Sequence, residues 1–301
     1  MGEVRVVATD IDGTVFNSHH EVPAENAAAM RAATKQGVKV VVCTGKMAGP
    51  WSETMLEALQ LGTYSVYNNG GLILDGAGNT VYEAALERQL VLDILTALDD
   101  VEGEMAARVV VSVGGLDYPF ALFAEQENYV SEFIASAGEN PPEVVGPLPA
   151  FLERESGVGV NKMFLCVRHD GADGAADFDE VCAAVEKAAA GRAELLVDAV
   201  TWWSETTAAI EVMPLGQSKA QGMAFVLEQL GEEPGNMLAI GDGTNDVEML
   251  TMAREAGGVS VAMGNGNAAV HAAAEHATGT NEEAGMAAAL RKFVLSEAPK
   301  L

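Results

Sequence analysis

The sequence predicts an α/β protein, a doubly wound, Rossmann-like parallel-sheet core carrying an inserted α+β domain. Three observations predict it. Apolar runs at 4–9, 38–42 and 237–240 each end abruptly in polar residues, as buried parallel strands do at the carboxyl edge of a sheet. Helical patterns separate those runs and give a β-α-β alternation. Between 86 and 208 the alternation gives way to α-β-β and then β-α-β-β, which reads as an antiparallel sheet with helices on one face. The core is therefore assigned to 1–85 and 209–301, and the insertion to 86–208, within the usual size of a domain.

The elements follow in order. The strand at 4–9 runs into Asp10-Ile11-Asp12-Gly13-Thr14. Residues 15–22 read as a loop with a short flap, in which His19 and His20 are solvated. Pro23 opens a helix and Gly37 closes it, with Ala27, Met30, Ala33 and Thr34 as its small-residue face. The strand at 38–42 ends in Cys43-Thr44-Gly45-Lys46. A helix at 51–61 is stopped by Gly62, and a strand at 64–67 ends in Asn68-Asn69-Gly70-Gly71. Runs at 72–74 and 80–82 flank Asp75-Gly76-Ala77-Gly78-Asn79, a hairpin signal.

In the insertion, 86–101 is an amphipathic helix with Leu90, Ile94, Leu95 and Leu98 on one face. Strands at 108–113 and 119–124 flank Gly114-Gly115. A helix follows at 128–137, a Pro/Gly-rich loop at 139–149, a strand at 160–167, a helix at 178–190, and strands at 193–197 and 208–212. The core pattern then resumes. Ser218 caps a helix that buries Met223, Val226, Leu227 and Leu230, and Gly231 stops it. The strand at 237–240 ends in Gly241-Asp242-Gly243-Thr244-Asn245-Asp246. A helix burying Val247, Leu250 and Ala253, a strand at 258–263, an alanine-rich helix and a closing helix at 282–295 complete the chain.

Composition narrows the function. The 301 residues carry 17 Lys+Arg against 44 Asp+Glu, a formal net charge of −27. That charge repels nucleic acid and anionic membranes, so neither is expected as a partner. An anionic ligand would need a local cation or a metal. The three cysteines, Cys43, Cys166 and Cys182, form no CxxC pair or zinc spacing and are expected reduced. No apolar run reaches membrane-spanning length, and residues 1–5 show no signal-peptide pattern. A cytoplasmic monomer or homodimer is expected, or an organelle protein after loss of a transit peptide.

Three strand ends carry polar chemistry: Asp10 with Asp12, Thr44, and Asp242 with Asn245 and Asp246. A parallel sheet gathers such ends at one crevice. Close carboxylates repel, so a divalent cation, a shared proton or a basic side chain must offset them. Oxygen-rich sets of this kind suit Mg2+, held by one or two carboxylates with phosphate and water completing its shell. Asp10 and Asp242 are the candidate carboxylate ligands. Asp242 also fits a helix N-cap, but its place after a buried strand favours the ligand. Lys219 sits in the first turn of its helix, where a cation is electrostatically misplaced. There it could compensate the carboxylates and grip a phosphoryl oxygen.

In order and placement, Asp10-x-Asp12-Gly13-Thr14, Thr44-Gly45, Lys219 and Gly241-Asp242-Gly243-Thr244-Asn245-Asp246 resemble the four motifs of the haloacid dehalogenase superfamily. The insertion between the second and third motifs resembles the large cap (type C2B) of its Cof-type, class IIB phosphatases. The resemblance implies a Mg2+-dependent phosphatase of small phosphorylated metabolites, such as sugar or cofactor phosphates. It implies Asp10 as nucleophile forming an aspartyl-phosphate, and Asp12 as acid and base lending the metal its backbone carbonyl. Asp10, Asp12 and Asp242 would hold Mg2+; Thr44, Gly45 and Asn245 would contact phosphate; Lys219 would balance charge. Gly13 would let the backbone pass close to the ligand, and Asp246 would support metal and lysine.

Two residues depart from the family pattern: Lys46 replaces the usual arginine after Thr-Gly, and Ala284 replaces an acidic residue before Gly285. Lysine lacks the planar fork of arginine. Substrate choice is expected to rest with the cap, where Arg108, Asn161, Lys162, Trp202 and Trp203 read more readily as structural or solvated than as specificity residues. A phosphomannomutase-like phosphotransferase and a non-catalytic binder of phosphorylated metabolites are the alternative readings.

Overall fold

The computed structural model describes residues 3–101, 109–114, 121–124, 129–136, 138–168, 178–199 and 207–295. Arg108, the Gly115 half of the glycine turn, Trp202 and Trp203 lie outside these residues. The chain divides into two compact units, one of Met1–Lys46, Ser52–Tyr82 and Ser218–Leu301, the other of Met47–Trp51 and Glu83–Gln217.

The elements are, in chain order, β1 (Val6–Thr9), α1 (Ala24–Lys35), β2 (Lys39–Cys43), α2 (Pro50–Leu59), β3 (Ser65–Tyr67), β4 (Leu72–Leu74) and β5 (Thr80–Glu83). Next come α3 (Arg88–Val101), β6 (Val109–Gly114), β7 (Ala121–Ala124), α4 (Tyr129–Ser136), β8 (Glu143–Val144), α5 (Leu148–Arg154) and β9 (Gly159–Arg168). Then come α6 (Phe178–Ala189), β10 (Ala193–Ala199), β11 (Thr207–Pro214), α7 (Lys219–Leu230), β12 (Met237–Gly241) and α8 (Val247–Glu255). The chain closes with β13 (Val259–Ala262), α9 (Ala268–Ala273), β14 (His276–Ala277) and α10 (Gly285–Phe293).

The first unit is built on an eight-stranded sheet of order β14-β13-β12-β1-β2-β3-β4-β5. The β1 strand lies between β2 and β12 and is parallel to both. All four of its residues are buried, and fully burying one valine side chain contributes about 1.5–3 kcal/mol. Register fixes where the strands stop. Thr9 pairs with Val42 on one side and with Ile240 on the other. Asp10, Thr44 and Asp242 therefore emerge together, where the strand order reverses around β1. The antiparallel β3–β4 pair and the hairpin to β5 finish one edge. The Asp75 carboxylate accepts the Ala77 and Asn79 N–H groups to hold that turn.

The second unit has a six-stranded sheet of order β10-β11-β9-β6-β7-β8. It is antiparallel except where β7 pairs parallel with β8. One face buries Val109, Val111, Met163, Leu165, Ile210 and Val212 with Leu90, Ile94 and Leu98 of α3 and Val181 and Val185 of α6.

Four expectations change. Strand β11, counted among the insertion's strands although the boundary was drawn at 208/209, pairs with β9 and β10 in the second sheet, and the chain rejoins the first unit at Ser218. The loop expected at 139–149 contains β8 and leads into α5, which starts directly after Pro147 and buries Leu148, Phe151 and Leu152. The two-residue β14 adds a further strand beside β13. The closing helix begins at Gly285, because Ala284 sits in the left-handed region at φ 52°.

That conformation is costly for a residue with a β-carbon unless it is Asn or Asp. Replacing Ala284 by Asn is expected to stabilise the protein by about 0.5–1 kcal/mol, measured as a higher urea midpoint with an unchanged slope.

Candidate active site

Lys219 is the first residue of α7 and is only 1% exposed. The helix starts there because the Ser218 hydroxyl accepts the Gln221 N–H at 3.3 Å. Its approach to the sheet depends on Gly222, where a β-carbon would lie 2.6 Å from Val66 Cγ1 and 2.9 Å from Gly70 Cα. This close passage lets the lysine reach the strand ends. Lys219 Nζ donates to Asp10 Oδ1 at 2.5 Å and to Asp246 Oδ1 at 2.7 Å. Burial would lower the pKa of the ammonium group, but Asp10 and Asp246 outweigh it and hold the pKa above the ordinary lysine value. Lys219 is charged.

Asp246 is fully buried. Its Oδ1 accepts from Lys219, and its Oδ2 accepts the backbone N–H groups of Asp242 and Gly243 at 3.0 and 2.9 Å. Both oxygens are thus engaged within the protein. Asp242 stands on the turn that Asp246 shapes. It takes the Thr14 hydroxyl on Oδ1 at 3.1 Å and the Asn265 amide on Oδ2 at 3.1 Å. Asn265 Nδ2 also donates to the Gly13 carbonyl at 2.9 Å. Gly13 has φ 72°, and a β-carbon on it would collide with the Asp242 carboxylate. Only glycine meets both conditions.

One oxygen from each of Asp10, Asp242 and Asp246 lies within 4.8 Å of the others. Burial raises the Asp10 carboxyl well above its ordinary pKa; Lys219 opposes this, while Asp246, Asp242 and Asp12 add to it. Burial, then Asp246, push Asp242 up to about 6. Such crowding is what a divalent cation relieves. The residues fit one: Asp10 and Asp242 could hold it, while Asp246, with both oxygens engaged, holds the turn and the lysine.

Asp12 lies apart from this cluster, its side chain 40% exposed. Lys46 Nζ is 2.7 Å from Asp12 Oδ1, and His20 Nδ1 is 3.4 Å from the same oxygen. Burial would raise the Asp12 carboxyl, but the His20 hydrogen bond and Lys46 more than cancel it and hold the pKa below its ordinary value. The two residues that flank Asp12 were read differently from sequence. His20 was expected to be solvated, and it faces the carboxylate instead. Lys46 stood out only as a departure from an arginine, and it is a buried cation, its ammonium 5.4 Å from the centre of the Phe16 ring.

Thr44 is 1% exposed, and its hydroxyl oxygen accepts the Lys46 N–H at 3.0 Å. Gly45 passes beside an amide pair in which Asn245 Nδ2 donates to Asn69 Oδ1 at 2.9 Å. A β-carbon on Gly45 would lie 3.1 Å from that Asn69 oxygen. Asn69 was missed by sequence reading. It is held by its N–H to the Thr44 carbonyl at 3.0 Å, with φ 51°. The signal available was the Asn-Asn-Gly-Gly string at another strand end. The structure thus brings Asp10, Asp242, Asp246 and Lys219 together, with Asp12 beside Lys46, and Gly45 beside Asn245.

Comparison with known proteins agrees in one direction. Residues 7–290 match the model of a family described as haloacid dehalogenase-like hydrolase. The chain is 29% identical to phosphatase YwpJ of Bacillus subtilis, over 94% of this chain and 98% of that protein. It is 28% identical to the 5-amino-6-(5-phospho-D-ribitylamino)uracil phosphatase YcsE of the same organism, over 97% of each chain. In fold it resembles the subclass IIB sugar phosphatase BT4131, with a TM-score of 0.72 and 22% identity over 96% of this chain and 99% of that one. Among the described residues no helix is long and apolar enough to cross a membrane.

A pH dependence follows from the crowded carboxylates. Asp242 binds its proton more tightly in the folded protein, at about 6, than in the unfolded chain, at about 4. Because the native state then holds more protons, stability falls as pH rises through that interval. In chelator, the melting temperature is expected to carry a falling contribution from about pH 4 to about pH 6, flattened in Asp242→Asn. Added Mg2+ is expected to raise the melting temperature more at pH 7 than at pH 5, since the protons it must displace have already left.

Proposed function

The chain belongs to the haloacid dehalogenase-like hydrolase family, and from that premise we propose that it is a Mg2+-dependent phosphatase of small phosphorylated metabolites, working through an aspartyl-phosphate. The observation that carries this reading is the division between two carboxylates two residues apart. Asp10 is bound to buried Lys219 at 2.5 Å inside the acidic cluster. Asp12 is held outside it by a different pair of residues.

In the first step an Asp10 carboxylate oxygen attacks phosphorus while the bond from phosphorus to the ester oxygen breaks. Protonated Asp12 gives its proton to the departing alkoxide, so an alcohol leaves and Asp10 becomes the acyl phosphate. In the second step Asp12, now a carboxylate, takes a proton from a water as that water attacks phosphorus. Inorganic phosphate leaves and Asp10 is restored. Lys219 neutralises Asp10 in the ground state and faces the transferring group. Thr44, Gly45 and Asn245 are assigned to the phosphoryl oxygens, and Asp246 fixes Lys219 and the turn carrying Asp242. Asp10 and Asp242, with the Asp12 carbonyl, would hold a divalent cation, which would supply charge stabilisation to the phosphoryl transition state.

Without ligand, Asp12 favours the carboxylate, the state needed in the second step. An arriving phosphate ester brings negative charge beside it and raises its pKa, which favours the acid needed in the first. Sugar phosphates and cofactor phosphates are the substrate classes we propose. The ribitylamino-uracil phosphate named for one relative supports small phosphate monoesters over phosphoproteins.

The test is phosphate release from a metabolite panel with Mg2+ and with chelator, beside two variants. Asp10→Asn is expected to form no phosphoenzyme. Asp12→Asn is expected to lose about 10²–10⁴ in kcat yet still accumulate labelled phosphoenzyme from a substrate with a good leaving group. Equal loss of phosphoenzyme in both variants would sink the division of labour.

A further inference from the structure

We propose that His20 is a positioning residue for Asp12. Its imidazole Nδ1–H and the Lys46 ammonium group pin one carboxylate oxygen, so that the other is presented to the ester oxygen. The assignment rests on the phosphatase reading above and goes beyond it, because it concerns a loop residue outside the family's four motifs.

Three observations carry it. The first is convergence: Lys46 Nζ at 2.7 Å and His20 Nδ1 at 3.4 Å both reach Asp12 Oδ1 and come from different parts of the chain. Lys46 follows β2, and His20 belongs to the loop after β1. An acid that must deliver its proton along one line needs a fixed carboxylate plane. Two groups converging on one oxygen restrict it, whereas a single flexible lysine leaves rotation about the carboxylate axis.

The second is how the loop is built. The Asn17 side-chain oxygen accepts the N–H groups of His19 and Glu21, both at 3.0 Å. The Asn17 N–H donates to the Glu21 carbonyl at 3.0 Å, and the His20 N–H to the Asn17 carbonyl at 3.1 Å. The loop is anchored to the rest of the first unit as well. The Ser18 N–H donates to Glu282 Oε1 at 2.6 Å, and Asn281 Nδ2 to the Phe16 carbonyl at 3.0 Å. His20 is therefore held in place rather than merely near.

The third is the conformation. His20 has φ 56°, in the left-handed region, which histidine enters more often than most residues with a β-carbon but where glycine is still cheaper. A turn that needed only its backbone geometry would be better served by glycine. Strain of this kind is retained where the side chain has a task, and here the side chain points at Asp12.

The experiment compares kcat/KM for two esters, since that ratio covers only the steps through transfer to Asp10. An alkyl phosphate such as glycerol phosphate needs a proton on its leaving oxygen. The aryl ester p-nitrophenyl phosphate leaves without one. In His20→Ala we expect kcat/KM to fall at least about tenfold further on the alkyl ester than on the aryl ester, with little change in KM. His20→Asn keeps a residue tolerant of the left-handed backbone, and its amide nitrogen can occupy the place of Nδ1. It is expected to recover a large part of the alkyl-ester rate. A loss equal on both esters, or no loss, or no recovery in His20→Asn when that variant melts as the wild type does, overturns the positioning role and leaves the phosphatase reading standing. A wild-type protein inactive on both esters with Mg2+ overturns the phosphatase reading and the role of His20 with it.

Discussion

The buried contact of Lys219 with Asp10 and Asp246 is the constraint on which the remaining arrangement depends. A lysine with 1% exposure is tolerated only if its charge is matched and its protons are accepted. Asp10 and Asp246 do both. Asp246 in turn ties Lys219 to the turn bearing Asp242 through its second oxygen. Removing either carboxylate would leave the buried cation with a single anionic partner, and removing the lysine would leave two carboxylates without their cation. The Ser218 cap starts the helix at this lysine. Gly222 lets the helix close on β3 and Gly70, and without that approach the lysine could not reach the strand ends.

Charge balance extends the argument. Four carboxylates, Asp10, Asp12, Asp242 and Asp246, meet two ammonium groups, Lys46 and Lys219. The deficit is two charges, which one divalent cation would neutralise. A phosphate ester then meets a site close to neutral on a protein whose overall charge is −27. Long-range repulsion slows the approach of an anion and is weakened by salt, while the contacts that hold it are short and local. The acidic surface and an anionic substrate are thus compatible.

How much of this was legible in the sequence depended on whether a feature leaves a periodic or positional trace. Apolar strands ending in Asp10, Thr44 and Asp242 leave one, since parallel register alone brings their ends together. Strand β11 does not: its apolar residues read alike in either sheet, and only pairing with β9 and β10 settles its membership. The pair His276–Ala277 of β14 is too short to show alternation. Helix α5 was hidden because Pro147 and Pro149 resemble a loop, although Pro is well suited to a helix start. Lys46 was noticed for the fork it lacks, not for Asp12. His20 left no trace, because its direction comes from a positive φ and an Asn17-stapled turn, and neither has a sequence period.

Asp12 shows why those two unforeseen neighbours matter. In the proposed mechanism Asp12 acts first as acid and then as base, and such a residue cannot have its protonation fixed by the protein alone. Burial pushes the carboxyl up, and His20 and Lys46 pull it further down, so the resting state is the base. The anion that needs an acid is also what raises the pKa of that carboxyl. Once the alkoxide has taken the proton and left as an alcohol, the resting balance again favours the carboxylate that water requires. The substrate's own charge then sets the order of the two roles, and the donors on Asp12 Oδ1 restore the side chain between them. Asp10 needs no such restoring pair, because Lys219 holds its carboxylate throughout. Two neighbouring aspartates can therefore do different work without differing in chemistry, because only their partners differ.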